Sequence, residues 1–306
     1  MMRVQDTVLE AMLAALRRGL SADNGMPKLF ALLDGALLGK MPLDVRRRWP
    51  ARRASSLLPS GAADTAVAVG PLLFEVQVDQ LGRSLVESLV DMATGELIGS
   101  ILVGSHNAAE VVENLRQFVD VRLDDGTEMV MRFYDPRILP FWLEGLPDEY
   151  ARHLGAALSQ WLYWGADWEL RVSEFASAAP QATSSPTVAF PVRLSAEREA
   201  QLVDASVPHL MMSRLRSEDP DALSKLPHAV RYGFLRQQLD RAKAHGLNGM
   251  SDLETYCGLA VTLGPRFDAD PAMEAALQHA KAGAAFHKAI AGLNAGDWQR
   301  VRKAAQ

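Results

Sequence analysis

Three short apolar runs, Leu29–Leu33, Pro71–Val76 and Leu97–Val103, limit more than any other feature what the first half of this chain can fold into. The first is closed by Asp34-Gly35 and the second follows Gly70. Runs of this length bounded by turn formers suit strands buried on both faces. The Pro- and Arg-rich stretch between the first two has no clean period and reads as a loop with helical turns. Leu81, Leu85, Leu89 and Met92 share one helical face, with Gly95 as a stop. Asn107 to Phe118 reads as a helix capped by Asn107, with Glu110 three residues on.

The clearest local element is a hairpin, Val119–Leu123 and Thr127–Phe133, around Asp124-Asp125-Gly126. A two-residue Asp125-Gly126 loop would set Arg122 opposite Met129 and Asp120 opposite Met131, mixing charged and apolar side chains across the ladder. A three-residue loop places Val121 opposite Met129, Val119 opposite Met131 and Arg122 opposite Glu128. It also gives Gly126 the left-handed position of a bulged turn, and this register is the predicted one. Beyond the hairpin, Asp135 and Pro136 read as the cap and first residue of a helix. Asp148 to Trp161 reads as another helix, ahead of the aromatic cluster Trp161, Tyr163, Trp164 and Trp168, and Trp168 to Val172 suits one more strand.

The Ala/Ser/Pro-rich stretch Ser177–Pro186 reads as a linker. After it the period is helical: Ser195 to Arg216, His228 to His245 closed by Gly246, a helix opened by a Ser251/Glu254 capping box, one opened by Asp270-Pro271, and a last one near Asp297 to Lys303. The predicted class is α+β. An N-terminal α/β lobe with a mixed sheet and helices covers residues 1–180, and an all-α lobe covers 186–306. An amphipathic helix built on Val4, Val8, Leu9, Met12, Leu13 and Leu16 opens the first lobe.

The formal net charge of −5 disfavours a general nucleic-acid binder, which needs surplus Lys and Arg to displace counterions. A single cysteine, Cys257, leaves no intramolecular disulfide or zinc knuckle and suits a reducing compartment. Asp6 and Glu10 interrupt the first apolar positions, so they do not read as a signal peptide, and no apolar run reaches the roughly 18–20 residues of a membrane helix. The expected setting is cytoplasmic, with neither membrane nor nucleic acid as partner.

No Walker loop, dinucleotide fingerprint, HExxH or GxSxG elbow is present, and the seven His are dispersed. No cofactor, metal or catalytic residue is therefore expected. Gly104-Ser105-His106 places a Ser beside a His at a strand end, but neighbours on a strand point to opposite sides. Asp34 and Asp135, both at strand ends, are a conceivable carboxylate pair, although turn and cap roles explain each. The rival reading is a hydrolase with a dispersed site near Asp34, Ser105 and Asp135. Arg46-Arg47-Arg48-Trp49 with Arg52-Arg53 reads as a solvated face or a socket for an acidic protein segment. The cluster Trp161, Tyr163, Trp164 reads as core before it reads as a protein hot spot.

Phe30–Ala36, then Gly70–Glu75, then Arg122–Gly126 through Met131–Arg137 occur in the order and approximate spacing of a known family. Across Leu29 to Trp164 the chain resembles the bacterial type VI secretion effector chaperones, also called adaptors. The hairpin followed by Arg132-Phe133-Tyr134-Asp135-Pro136-Arg137 carries most of that likeness. The resemblance implies a cytoplasmic factor that binds a secreted effector and helps load it onto a VgrG or PAAR-type spike protein. It implies no reaction. Arg46, Arg47, Arg52, Arg53, Tyr134 and Arg137 are the expected partner-binding residues, since interface anchors are enriched in aromatics and Arg.

Overall fold

In the computed structural model, which describes residues 14, 17, 27–59, 61–77, 88–91, 96–175 and 188–305, the first apolar run becomes strand β1, Lys28–Asp34. Its side chains alternate between two sides. Phe30 and Leu32 enter one buried cluster, and Leu29, Ala31 and Leu33 enter the other. Every residue from Leu29 to Asp34 is buried, which is why the run shows no polar alternation.

The chain continues through helices α1 (Gly35–Leu38) and α2 (Leu43–Arg48), a 3-10 turn at Ala51–Arg53, strand β2 (Ser55–Ser56) and helix α3 (Asp64–Val69). Strand β3 is Pro71–Val76. The two-strand ribbon β4 (Val90–Asp91) and β5 (Glu96–Leu97) precedes β6 (Gly99–Gly104). Then come α4 (Ala108–Arg116), β7 (Asp120–Leu123), β8 (Glu128–Val130), α5 (Leu139–Glu144), α6 (Asp148–Gly155), β9 (Gln160–Trp164), β10 (Leu170–Glu174) and β11 (Val192–Leu194).

Six strands form the main sheet in the order β10-β9-β6-β1-β3-β2, with β1 between β6 and β3. Each of its pairings is antiparallel. The mixed pairing expected from the sequence lies instead in a three-stranded sheet, β11-β7-β8, where β11 runs parallel to β7. One face of the main sheet packs Phe30, Leu102 and Trp161 against Val111 and Leu115 of α4, Val121 of β7 and Trp142 of α5. The other face packs Leu33, Phe74 and Ile101 against Leu37, Met41 and Trp49.

The hairpin takes the predicted register, with Val121 opposite Met129 and Arg122 opposite Glu128. The Met131 amide donates to the Val119 carbonyl at 2.7 Å. Gly126 has φ +86°, the left-handed value that glycine adopts without steric cost. Asn107 and Glu110 form the predicted capping box. Two other readings are corrected. The helix that starts at Asp148 ends at Gly155, and Trp161 and Trp164 are strand residues buried by the sheet. Asp135 caps no helix: its side chain accepts from the Arg137 amide in a turn, and α5 begins only at Leu139.

Two compact units divide the chain, Met1–Ala205 and Ser206–Gln306. Strand β11, with no counterpart in the helical period read beyond the linker, belongs to the first. Helix α7 (Ala196–Glu218) begins in the first unit and ends in the second. The second unit adds α8 (His228–Ala244), α9 (Met250–Leu263), a 3-10 turn at Phe267–Ala269, α10 (Pro271–Lys281), α11 (Phe286–Ile290) and α12 (Ala295–Ala304). Its core gathers Met211, Leu235, Tyr256, Phe267 and Phe286. Asp270 caps α10 with Pro271 at its first position, as predicted. The Ser251/Glu254 box is not formed, because α9 starts at Met250 with Gly249 in the cap position, two residues ahead of Ser251, and Glu254 pairs with Arg214 at 2.9 Å. The amphipathic helix read at residues 1–20 lies outside the described residues but for 14 and 17, as does the Ser177–Pro186 linker; of the Leu81–Met92 helix only 88–91 are described, and there the chain is turn and strand β4, not helix. Among the described residues no helix is long and apolar enough to cross a membrane.

Candidate functional site

At the end of β1 the chain turns sharply into α1, and Asp34 makes that turn. Its Oδ1 accepts from the amides of Ala36 at 2.9 Å and Leu37 at 3.1 Å, the donors a helix N-terminus leaves unpaired. Its Oδ2 accepts from Nη2 of Arg132, which follows β8. Arg132 also reaches Asp135 at 3.6 Å, and Asp135 is held by Arg137 through Nε at 2.8 Å and Nη2 at 2.6 Å. The two carboxylates suggested by the sequence thus do meet, with Arg132 between them.

Their electrostatics differ. Burial raises the Asp34 carboxyl above its ordinary value, and the hydrogen bond and charge of Arg132 offset only part of the rise. Burial also pushes on Asp135, but the Arg137 guanidinium, its amide and the Arg132 charge pull harder and hold that carboxyl below its ordinary value. Every oxygen of the pair has a donor, so the arrangement acts as a clamp between β1 and the segment after β8. The role of Arg132 is not legible in the sequence. Its only local signal is the Arg132/Asp135 spacing, since Asp34 lies far back along the chain.

Ser105 stands elsewhere. Strand β6 runs antiparallel to β1 and pairs Gly104 with Lys28, whereas Asp34 lies at the other end of β1. Six residue steps at about 3.3 Å separate those ends by roughly 20 Å. Ser105 is therefore not brought to the two carboxylates.

The arginine segment is built on one aromatic anchor. Trp49 is buried, meets the Phe74 ring edge to face at 5.2 Å and donates Nε1–H to the Ser88 carbonyl at 3.2 Å. On either side of it, Arg46 and Arg47 of α2 and Arg52 and Arg53 of the 3-10 turn are exposed. Among the described residues none of these four side chains has an ion-pair partner. A cationic surface left uncompensated in an acidic chain is chemically suited to a carboxylate-rich partner.

The remaining candidates sort by burial. Tyr134 is 3% exposed and packs its ring against Phe133, inside the core. Arg137 is half-buried and engaged with Asp135. Trp161 is fully buried and donates to the Ser100 hydroxyl at 2.8 Å, with Tyr163 and Trp164 buried beside it. Among the described residues no group of three or more His, Cys, Asp or Glu is placed to hold a metal ion.

Residues 29–153, from β1 into α6, match the sequence model of a family described as a domain of unknown function (DUF4123). Comparison with curated proteins and with solved structures returns no match.

Proposed function

We propose that this chain, whose residues 29–153 carry a DUF4123 domain, is a cytoplasmic adaptor that binds a type VI secretion effector and promotes its loading onto a VgrG or PAAR-type spike. One observation carries the reading. The matched stretch contains Phe30–Ala36, Gly70–Glu75 and Arg122–Arg137, the segments on which the resemblance to the effector chaperones rests. The structure supplies a reason for their co-occurrence, since the first of them holds Asp34 and the last holds Arg132 and Asp135, which form the clamp. The exposed arginines around Trp49 support a protein-binding role, with an acidic segment of the effector or spike as the fitting partner. The test is affinity purification from the native bacterium at native expression, read by mass spectrometry. The chain should recover both an effector and a spike component. Recovery of neither, from cells making that secretion system, would sink the proposal.

A further inference from the structure

The second unit carries a groove of about 630 Å³ between the last turn of α7, the turn that follows it and α9. Three features of it point outward. Its floor is mixed: Ser251, Thr255 and Thr262 of α9 line it, and Ala222, Leu259 and Val261 pack on the core beside them yet remain partly open to solvent. Its rim carries three carboxylates and one cation, Lys225: Glu218, Asp219 and Asp221 are all exposed, and among the described residues none of the three has an ion-pair partner. These carboxylates stand at the C-terminal end of the 23-residue α7, where the helix dipole is already negative and favours cations. The third feature is Gly258, inside α9 and lining the groove. A Cβ there would meet Leu215 Cδ2 at an ordinary 3.5 Å, so packing admits alanine, and the glycine weakens the helix where it lines the groove.

We infer that this groove seats a cationic amphipathic helix of a partner protein, with apolar side chains on Leu259 and Val261 and Lys or Arg against Glu218, Asp219 and Asp221. The inference rests on the adaptor reading only in taking the chain to hold other proteins. A helix is the fitting occupant because the second unit has, among its described residues, no strand edge to which an extended peptide could add. The groove-lining stretch Ser251–Thr262 is about 16 Å long at 1.5 Å per residue, which accommodates roughly three turns.

The experiment uses the full chain and a fluorescein-labelled synthetic peptide of about 14 residues, with Leu at helical spacing on one face and Lys on the flanks. Controls are a peptide with Glu for Lys and a scramble that disperses the Leu face. Anisotropy titrations should show binding of the first peptide alone, weakening as salt rises. Asp219→Lys/Asp221→Lys should weaken it at least about tenfold, and Gly258→Leu at least about fivefold, with both variants folded by circular dichroism. Absence of binding, equal binding of the scramble, or equal affinity in both variants would overturn the inference. Capture of an effector by the adaptor in cells, with no peptide binding in vitro, would likewise overturn the groove while leaving the adaptor reading in place. Peptide binding without capture of any cargo or spike would support the groove and sink that reading.

Discussion

Asp34 and Arg132 are 98 positions apart in sequence and share a hydrogen bond between Oδ2 and Nη2, with Asp34 fully buried and the Arg132 side chain 44% exposed. The carboxylate also holds two backbone amides, so the arginine ties a strand end to a hairpin exit through one buried group.

Arg132→Met should therefore destabilise the first unit by about 2 kcal/mol, the scale of a hydrogen bond to a charged group, moderated by the solvent around Arg132. Arg132→Lys keeps the charge but loses the planar fork and should recover only part of it. Urea midpoints at constant m-value measure both. The double variant Asp34→Asn/Arg132→Met should cost less than the sum of its singles, because the two act on one bond. Strict additivity would show that the clamp does not couple them.

At the far end of β6, Ser105 and Asn107 give a contrast. Asn107→Ala removes the capping box of α4 and should cost about 1 kcal/mol. Ser105→Ala, at an exposed position, should stay within about 0.5 kcal/mol of the parent. Hydrolase turnover in the purified protein that vanishes in folded Ser105→Ala would end the adaptor reading.

Charge reversal at Arg47 and Arg52 should leave the thermal midpoint unchanged, since both are exposed and unpaired among the described residues. Association with an acidic partner should slow and lose salt sensitivity, because steering by exposed charge acts on the on-rate. Stopped-flow traces at two salt concentrations decide it. An unchanged on-rate would show that this surface does not meet the partner. Trp49→Ala, by contrast, should cost about 3 kcal/mol through the cavity it leaves.

The second unit should be acid-sensitive through Asp268. Burial raises this carboxyl, but hydrogen bonds from Tyr256, Arg241 and His245 outweigh burial and hold it below its ordinary 3.8. Its folded value is lower than its unfolded one, so its contribution is fully present above about pH 4 and is lost as pH falls through the folded value. Asp268→Asn should lower stability at pH 7 and flatten the acid limb below pH 4. An acid limb of the same slope in both proteins would show that this carboxyl is not a source of the sensitivity. Tyr256, whose burial pushes its ionisation well above the usual tyrosine range, stays a neutral donor throughout that window.

What the sequence made legible was local. The register of the hairpin followed from which side chains can face one another, and the Asn107/Glu110 and Asp270-Pro271 signals each lie within one turn of the helix they start. Ser251 and Glu254 have the same spacing as a capping box, yet Arg214 from α7 takes the glutamate, a competitor that no local window contains. Strand β11 is three residues long, too short to display a period, and exists because β7 offers it an edge. In the clamp, the pairing of Asp34 with Asp135 was conceivable from their strand-end positions, but the arginine that joins them was not, because Asp34 lies 98 residues before Arg132.

The position of β9 sets a condition on how this protein is made. It pairs with β6 on the side away from β1, and β9 comes after residue 153, where the family match ends. A nascent chain halted at that point would hold Ile101 and Leu102 on an open strand edge, with their backbone groups free to pair with any neighbour. Ribosomes must therefore release at least the Trp161–Trp164 segment before the sheet can close. A fragment trimmed to the matched stretch would be expected to precipitate.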